Sequence, residues 1–111
     1  MEEKNLEKLQ KNIAINFKNK ILLRQAMTHR SYINEHLDTK IGHNERLEFL
    51  GDAVLEIVVT EYLFLNFKNI PEGDLTNWRA SLVNAKIFHE VAGDLKIDDF
   101  SYISKGAAKA T

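Results

Sequence analysis

The stretch from Glu45 to Phe67 contains no proline and a single glycine, Gly51, and its apolar residues recur at helical spacing. As one helix it runs about 34 Å, long enough to cross a small domain from end to end. In a chain of 111 residues such a rod leaves room for one domain built around it. Asn44 stands where a helix cap is expected, and the cluster Asn69-Ile70-Pro71-Glu72-Gly73 predicts a turn beyond the far end, because proline presets one backbone angle and glycine permits the next.

The rest of the sequence has the same helical period. Leu6, Leu9 and Ile13 predict a short helix, and after Phe17 the residues Ile21, Leu22 and Met27 predict another. From Thr28 to Gly42 the period breaks among His29, Arg30, Ser31, Asn34, Glu35, Asp38 and Lys40, which reads as a surface loop with one helical turn. A further helix is expected from about Asp74 to Leu82. After a break near Asn84, Ile87, Phe88, Val91, Ala92 and Leu95 mark the next, over Ala85 to Leu95. The tail from Ser101 to Thr111 is small and polar, and no repeat or low-complexity tract is present. The fold class is all-α, and a domain of this length buries roughly two-thirds of its unfolded surface, enough for one core.

Composition removes several function classes. The chain has no cysteine, so neither a disulfide framework nor a thiolate zinc site holds it together. His29, His36, His43 and His89 show no metal-ligand spacing. No nucleophile motif or glycine-rich phosphate loop is present, so no small-molecule cofactor is expected. Lys plus Arg number 15 against 16 Asp plus Glu, a net charge of −1, which argues against a broadly basic surface that grips phosphate without help. Met1 to Asn5 is charged and no later apolar run is long enough to cross a bilayer, so the expected location is cytoplasmic, away from membranes. Trp78 and the tyrosines are assigned to packing.

Within the long helix, Glu45, Glu48, Asp52 and Glu56 follow at spacings of three, four and four and share one face, with no Lys or Arg between them on that face. Leu47, Leu50, Val54, Ile57 and Val58 lie roughly opposite and are expected to face the core. Exposed like charges one turn apart cost only about 0.2–0.5 kcal/mol per pair, so a solvated acidic face stays open as the bland alternative. Glu45 is also explained by the helix dipole. Glu48 lies beyond the position a capping box would use. The functional alternative is that Glu48 and Asp52, one turn apart, converge on a hard cation such as magnesium, which takes one or two carboxylates and keeps several waters.

The segment Asn44-Glu45-Arg46-Leu47-Glu48-Phe49-Leu50-Gly51-Asp52-Ala53-Val54-Leu55 resembles the ribonuclease III signature nearly letter for letter. Ala26 to Tyr32, Glu72 to Leu75 and Arg79 to Asn84 resemble other conserved stretches of that family, so the similarity covers essentially the whole chain.

The resemblance implies a ribonuclease III-like helical endonuclease domain over residues 1–111 that forms a homodimer and holds an RNA duplex in a valley between subunits. On matching positions it implies that Glu48 and Asp52 are catalytic and bind Mg2+, with Mn2+ able to substitute. Glu45 and Glu72 are implied as supporting acidic residues, and Phe49 as the side chain that enters a socket on the partner subunit. The activity implied is magnesium-dependent hydrolysis of double-stranded RNA, leaving 5′-phosphate and 3′-hydroxyl ends, in RNA processing such as that of ribosomal precursors. The family's second acidic pair, an Asp and a Glu on a later helix, would follow the tail seen here. Ser104-Lys105-Gly106 resembles the loop that precedes it, so the domain is expected to be incomplete at its C-terminus and this chain alone to be inactive. Asp98 and Asp99 are read as turn residues, because adjacent side chains point in different directions. The competing readings are a ribonuclease III-like scaffold that binds RNA or a ribosome without cutting, and a plain helical interaction domain.

Overall fold

The computed structural model describes residues 4–37 and 40–106. The charged residues Glu2 and Glu3, Asp38 of the loop and the end of the polar tail, residues 107–111, lie outside the described residues. In order, the elements are α1 (Leu6–Ile13), α2 (Lys20–Ala26), α3 (Arg30–Glu35), α4 (Glu45–Asn66), α5 (Glu72–Leu82), α6 (Ala85–Asp94) and a closing 3₁₀ turn, Ile97–Phe100. The fold class is all-α: among the described residues the sole β feature is an isolated parallel bridge between Thr28 and Tyr102. The molecule is elongated, with principal extents of 54 × 29 × 23 Å.

The helix starts follow from local chemistry. Asn5 caps α1 by accepting from Lys8 N, Asn19 caps α2 by accepting from Leu22 N, and Asn84 caps α6 by accepting from Ile87 N. At the start of α4, Asn44 holds the cap position but makes no capping bond. Its Nδ2 instead donates to Ala26 O at 2.9 Å, which ties the long helix to the end of α2. Pro71 opens α5 two residues earlier than the periodicity suggests. Glu72 and Gly73 therefore belong to the helix, since proline just before a first turn forfeits no needed N–H.

The core lies at one end. Leu9, Leu23, Met27, Tyr32, Phe100 and Tyr102 form a buried cluster, with Leu6, Ile13, Phe17, Ile33 and Ile97 packed on it. Three expectations need correcting here. The buried register of α2 is Leu23 with Met27, whereas Ile21 and Leu22 are exposed. Thr28 to Gly42 is not simply a surface loop: Thr28 and Tyr32 are buried, and α3 occupies its middle. The tail is not merely polar either, because Tyr102 is threaded back through the lobe. Its N donates to Met27 O and its O accepts from His29 N, both at 2.7 Å, while its hydroxyl accepts from Lys4 N at 2.9 Å. Pairing with a distant segment is a tertiary event that a local period does not report.

The largest correction concerns α4. Leu50, Val54, Ile57 and Val58 do not face a core; they are exposed at 59%, 49%, 66% and 58%, and only Leu63 of the 22 residues of this helix is buried. The helix packs chiefly against α5, where Phe67 at its end meets Trp78 edge-on at 5.2 Å, and its apolar stripe stays largely exposed. Of the tyrosines assigned to packing, Tyr32 and Tyr102 are buried, whereas Tyr62 meets Phe67 edge-on but stays largely exposed.

Candidate active site

The acidic face of α4 survives intact. Glu48, Asp52 and Glu56 line one side of a cleft of about 460 Å³, whose other wall is Val83, Asn84, Ala85 and Phe88 from the α5–α6 corner. That corner is held by one side chain. Asn84 caps α6, and its Nδ2 donates to Ala80 O at 3.2 Å and to Ser81 O at 2.9 Å, so the same amide closes α5 and opens α6. The wall facing the carboxylates is thus fixed by three hydrogen bonds at the Asn84 side chain, two donated and one accepted.

The four carboxylates of the row are not equivalent. Glu45 meets Arg30 of α3, with Nη1 at 3.4 Å from Oε1. Glu56 has Arg79 of α5 beside it, with Nε at 3.9 Å from Oε1, and Arg79 Nη1 also donates to Thr60 Oγ1 at 3.2 Å. Glu48 and Asp52, between them, meet no Lys, Arg or His among the described residues. The sequence shows no cation on this face of α4, and none is there; both arginines arrive from other helices. Nothing in the helical period could have announced them.

Glu72 stands apart. It lines a separate recess of about 250 Å³ with Leu63, Leu75 and Arg79, so the described residues do not bring it to Glu48 and Asp52. Asp98 and Asp99 sit in the closing 3₁₀ turn and do not line the cleft. Phe49, next to Glu48, is 83% exposed. Among the described residues no three His, Cys, Asp or Glu side chains converge as a complete metal cluster. Glu48 and Asp52 nevertheless fit magnesium as far as they go: both offer carboxylate oxygen, both open on solvent, and one or two carboxylates are what that ion takes from a protein when waters and phosphate fill its other positions. No helix among the described residues is long and apolar enough to cross a membrane.

Comparison with known proteins agrees with this all-α fold. Residues 19–111 match a family model described as ribonuclease-III-like. The chain is 47% identical over 110 residues to ribonuclease 3 of Carboxydothermus hydrogenoformans, covering 99% of this chain and 47% of that protein. It is 45% identical over 98 residues to ribonuclease 3 of Oceanobacillus iheyensis, covering 88% and 43%. The chain thus spans about half the length of the curated relatives it matches. Among solved structures, the nuclease domain of ribonuclease III from Campylobacter jejuni superposes with a TM-score of 0.84 at 46% identity, covering 96% of this chain and 70% of that one. That structure is described as flexible in a region involved in dimer formation, and a second structure of the same nuclease domain gives a TM-score of 0.82.

Proposed function

The chain belongs to the ribonuclease-III-like family, and on that premise we propose that it supplies half of the metal-binding apparatus of an endonuclease that hydrolyses double-stranded RNA. The observation that carries this reading is the pair Glu48 and Asp52. They stand one turn apart in an open cleft, without a cationic partner among the described residues, in the middle of a row whose outer members each have one.

Glu48 and Asp52 would hold Mg2+ or Mn2+, which supplies Lewis acidity for phosphodiester hydrolysis, with 5′-phosphate and 3′-hydroxyl ends as the products. The chain's own residues do the rest. The two carboxylates fix where the positive charge sits, and the rigid α4 backbone fixes their separation. The Asn84-clamped corner limits the cleft to about 460 Å³. Glu45 is a peripheral acidic residue that supports the site from the end of the row, whereas Glu72, in its separate recess, does not reach it within one chain. A duplex suits such an open site, because A-form RNA is read by shape, phosphates and 2′-hydroxyls rather than by base edges. Phe49, exposed beside Glu48, is the contact to a second copy of the chain, and the natural setting is RNA processing in the cytoplasm.

The test has two parts. Mn2+ should raise the melting temperature of the chain, because an ion bound only by the native state stabilises it. Glu48→Gln and Asp52→Asn should remove that rise. In a chain extended to the length of its relatives, the same substitutions should abolish magnesium-dependent cleavage of a long RNA duplex while leaving duplex binding in place. Residues 1–111 alone, with two carboxylates rather than the two pairs that the family resemblance implies, should cleave far more slowly than the extended protein. Undiminished cleavage by either variant would overturn the proposal.

A further inference from the structure

The row Glu45, Glu48, Asp52, Glu56 presents four negative charges along one helix face, yet only its middle is bare. A cation approaching α4 could settle between any neighbouring pair. The structure instead puts an arginine at each end: Arg30, from α3, at 3.4 Å from Glu45, and Arg79, from α5, at 3.9 Å from Glu56. Both pairs are partly exposed, so neither adds much to stability. We propose that Arg79, with Arg30 at the other end, is a positioning residue that offsets the outer carboxylates and so confines the divalent cation to Glu48 and Asp52. This rests on the metal site proposed above.

Arg79 carries the argument because it is anchored. Its Nη1 donates to Thr60 Oγ1, one turn beyond Glu56 on the same helix, so the guanidinium is held across α4 behind Glu56 rather than swinging in solvent. Glu56 faces two ways: it lines the cleft with Glu48 and Asp52, and it lines a groove of about 600 Å³ with Thr60, Phe64 and Arg79. Arg79 itself does not line the cleft. It therefore acts on the cation through Glu56, as a charge that offsets a third carboxylate without touching the site. Without it, Asp52 and Glu56 become a second bare pair one turn apart, and a cation has two places to sit rather than one.

The effect is electrostatic and has a sign that damage to the fold does not imitate. Removing a positive charge several ångströms from a divalent ion, through water and salt, should tighten Mn2+ binding by about two- to threefold. The experiment measures binding of Mn2+ alone by the full chain, from the electron paramagnetic resonance signal of the free ion, for Arg79→Gln, Glu56→Gln and the double variant. Arg79→Gln should bind Mn2+ more tightly, Glu56→Gln more weakly, and the double variant should return close to the parent, since the pair then contributes no charge. All three differences should shrink as salt is raised.

Arg79→Lys, which keeps the charge but loses the planar fork, should bind Mn2+ like the parent. It serves as the test should Arg79→Gln fail to fold, and tighter binding by the lysine variant would then count against a role for charge. An unchanged affinity in Arg79→Gln, or a double variant that does not return, overturns the inference. Glu48→Gln separates this outcome from failure of the underlying reading. If Glu48→Gln binds Mn2+ as the parent does, the metal site itself is misplaced. If Glu48→Gln loses binding while Arg79→Gln changes nothing, only the role of Arg79 falls.

Discussion

The two ends of this molecule use apolar residues in opposite ways. At one end, α1, α2, α3 and the segment from Phe100 to Ser104 close on each other, and the buried cluster is completed by a strand-like return of the chain to Thr28. At the other, α4 displays nine exposed large apolar side chains, Phe49, Leu50, Ile57, Val58, Phe64 and Leu65 among them, more than the six in the buried cluster of the closed lobe. Apolar content therefore does not locate the core of this chain. Closure does: Leu9 and Tyr102 are 1% and 2% exposed because distant segments meet around them, whereas Ile57 is exposed because no described element lies over it. The closed lobe gives the fold its stability, and the open arm carries the acidic row and an uncovered apolar face.

The contrast is broken most decisively by truncating one apolar residue on each side. Leu9→Ala should cost about 2–5 kcal/mol, the range for a fully buried leucine that leaves a cavity. Ile57→Ala should change stability by less than about 0.5 kcal/mol, as for surface positions without special roles. Urea unfolding at low protein concentration measures both. A large loss at Ile57 in the monomer would mean that the open arm has a core of its own.

The next effect lies at the junction between the two regions. Asn84 caps α6 and bonds the last carbonyls of α5. Asn84→Ala should lower stability by about 1 kcal/mol, the usual cost of losing such a cap, and should also loosen the cleft wall opposite Glu48. Asn84→Asp keeps the accepting oxygen but loses both donations, so it should fall between the parent and alanine in thermal melting. An alanine variant as stable as the parent would show that the corner is held by other contacts.

What the sequence disclosed follows from which forces are local. The helices were legible because period and capping act within a few residues: α4 ends within a residue of its expected limit at Phe67, and the break at Asn84 is the cap of α6. The face shared by Glu48, Asp52 and Glu56 was legible for the same reason, since spacing on one helix fixes direction. Arg30 and Arg79 were not, because they reach the row from other helices. Nor was the burial of Thr28; Tyr32 and Tyr102 do pack, as assigned, but what they pack against depends on a contact between residues far apart in the chain. The expectation that Leu50 and Val54 face a core failed for a related reason: amphipathicity identifies a face that favours burial but does not say what covers it.

A smaller pair of changes sharpens the comparison by reversing it. In the closed lobe Ala14 ends α1 with φ 59° and ψ 35°, a left-handed conformation in which a Cβ is penalised and glycine is favoured. In the open arm Gly51 lies inside α4, and a Cβ added there would meet nothing within 4 Å. The closed lobe thus holds an alanine where glycine suits, and the arm a glycine where alanine suits. Ala14→Gly and Gly51→Ala should each raise monomer stability by about 0.5–1 kcal/mol. The first should leave association untouched. If Gly51 is retained for close approach of another chain or of RNA, the second should weaken that contact even as the monomer gains stability, and differential scanning calorimetry beside sedimentation would show the two moving apart.

The smallest expected effect on stability is at Phe49, and it is the most informative about the arm. The ring is 83% exposed, so within one chain it contributes almost nothing, and Phe49→Asp should shift the unfolding free energy by less than about 0.5 kcal/mol. A large exposed aromatic in a run of exposed apolar residues marks an interaction surface, and if a second copy covers it, an aspartate there would be buried without a partner. Phe49→Asp should therefore move the protein toward monomer in sedimentation velocity while its melting temperature at low concentration stays put. Phe49→Leu keeps apolar character with less area and should associate at an intermediate concentration. An unchanged oligomeric state in Phe49→Asp would assign the open face to something other than a second copy, and the exposed residues further along α4, Ile57 and Phe64, would then be the next positions to charge.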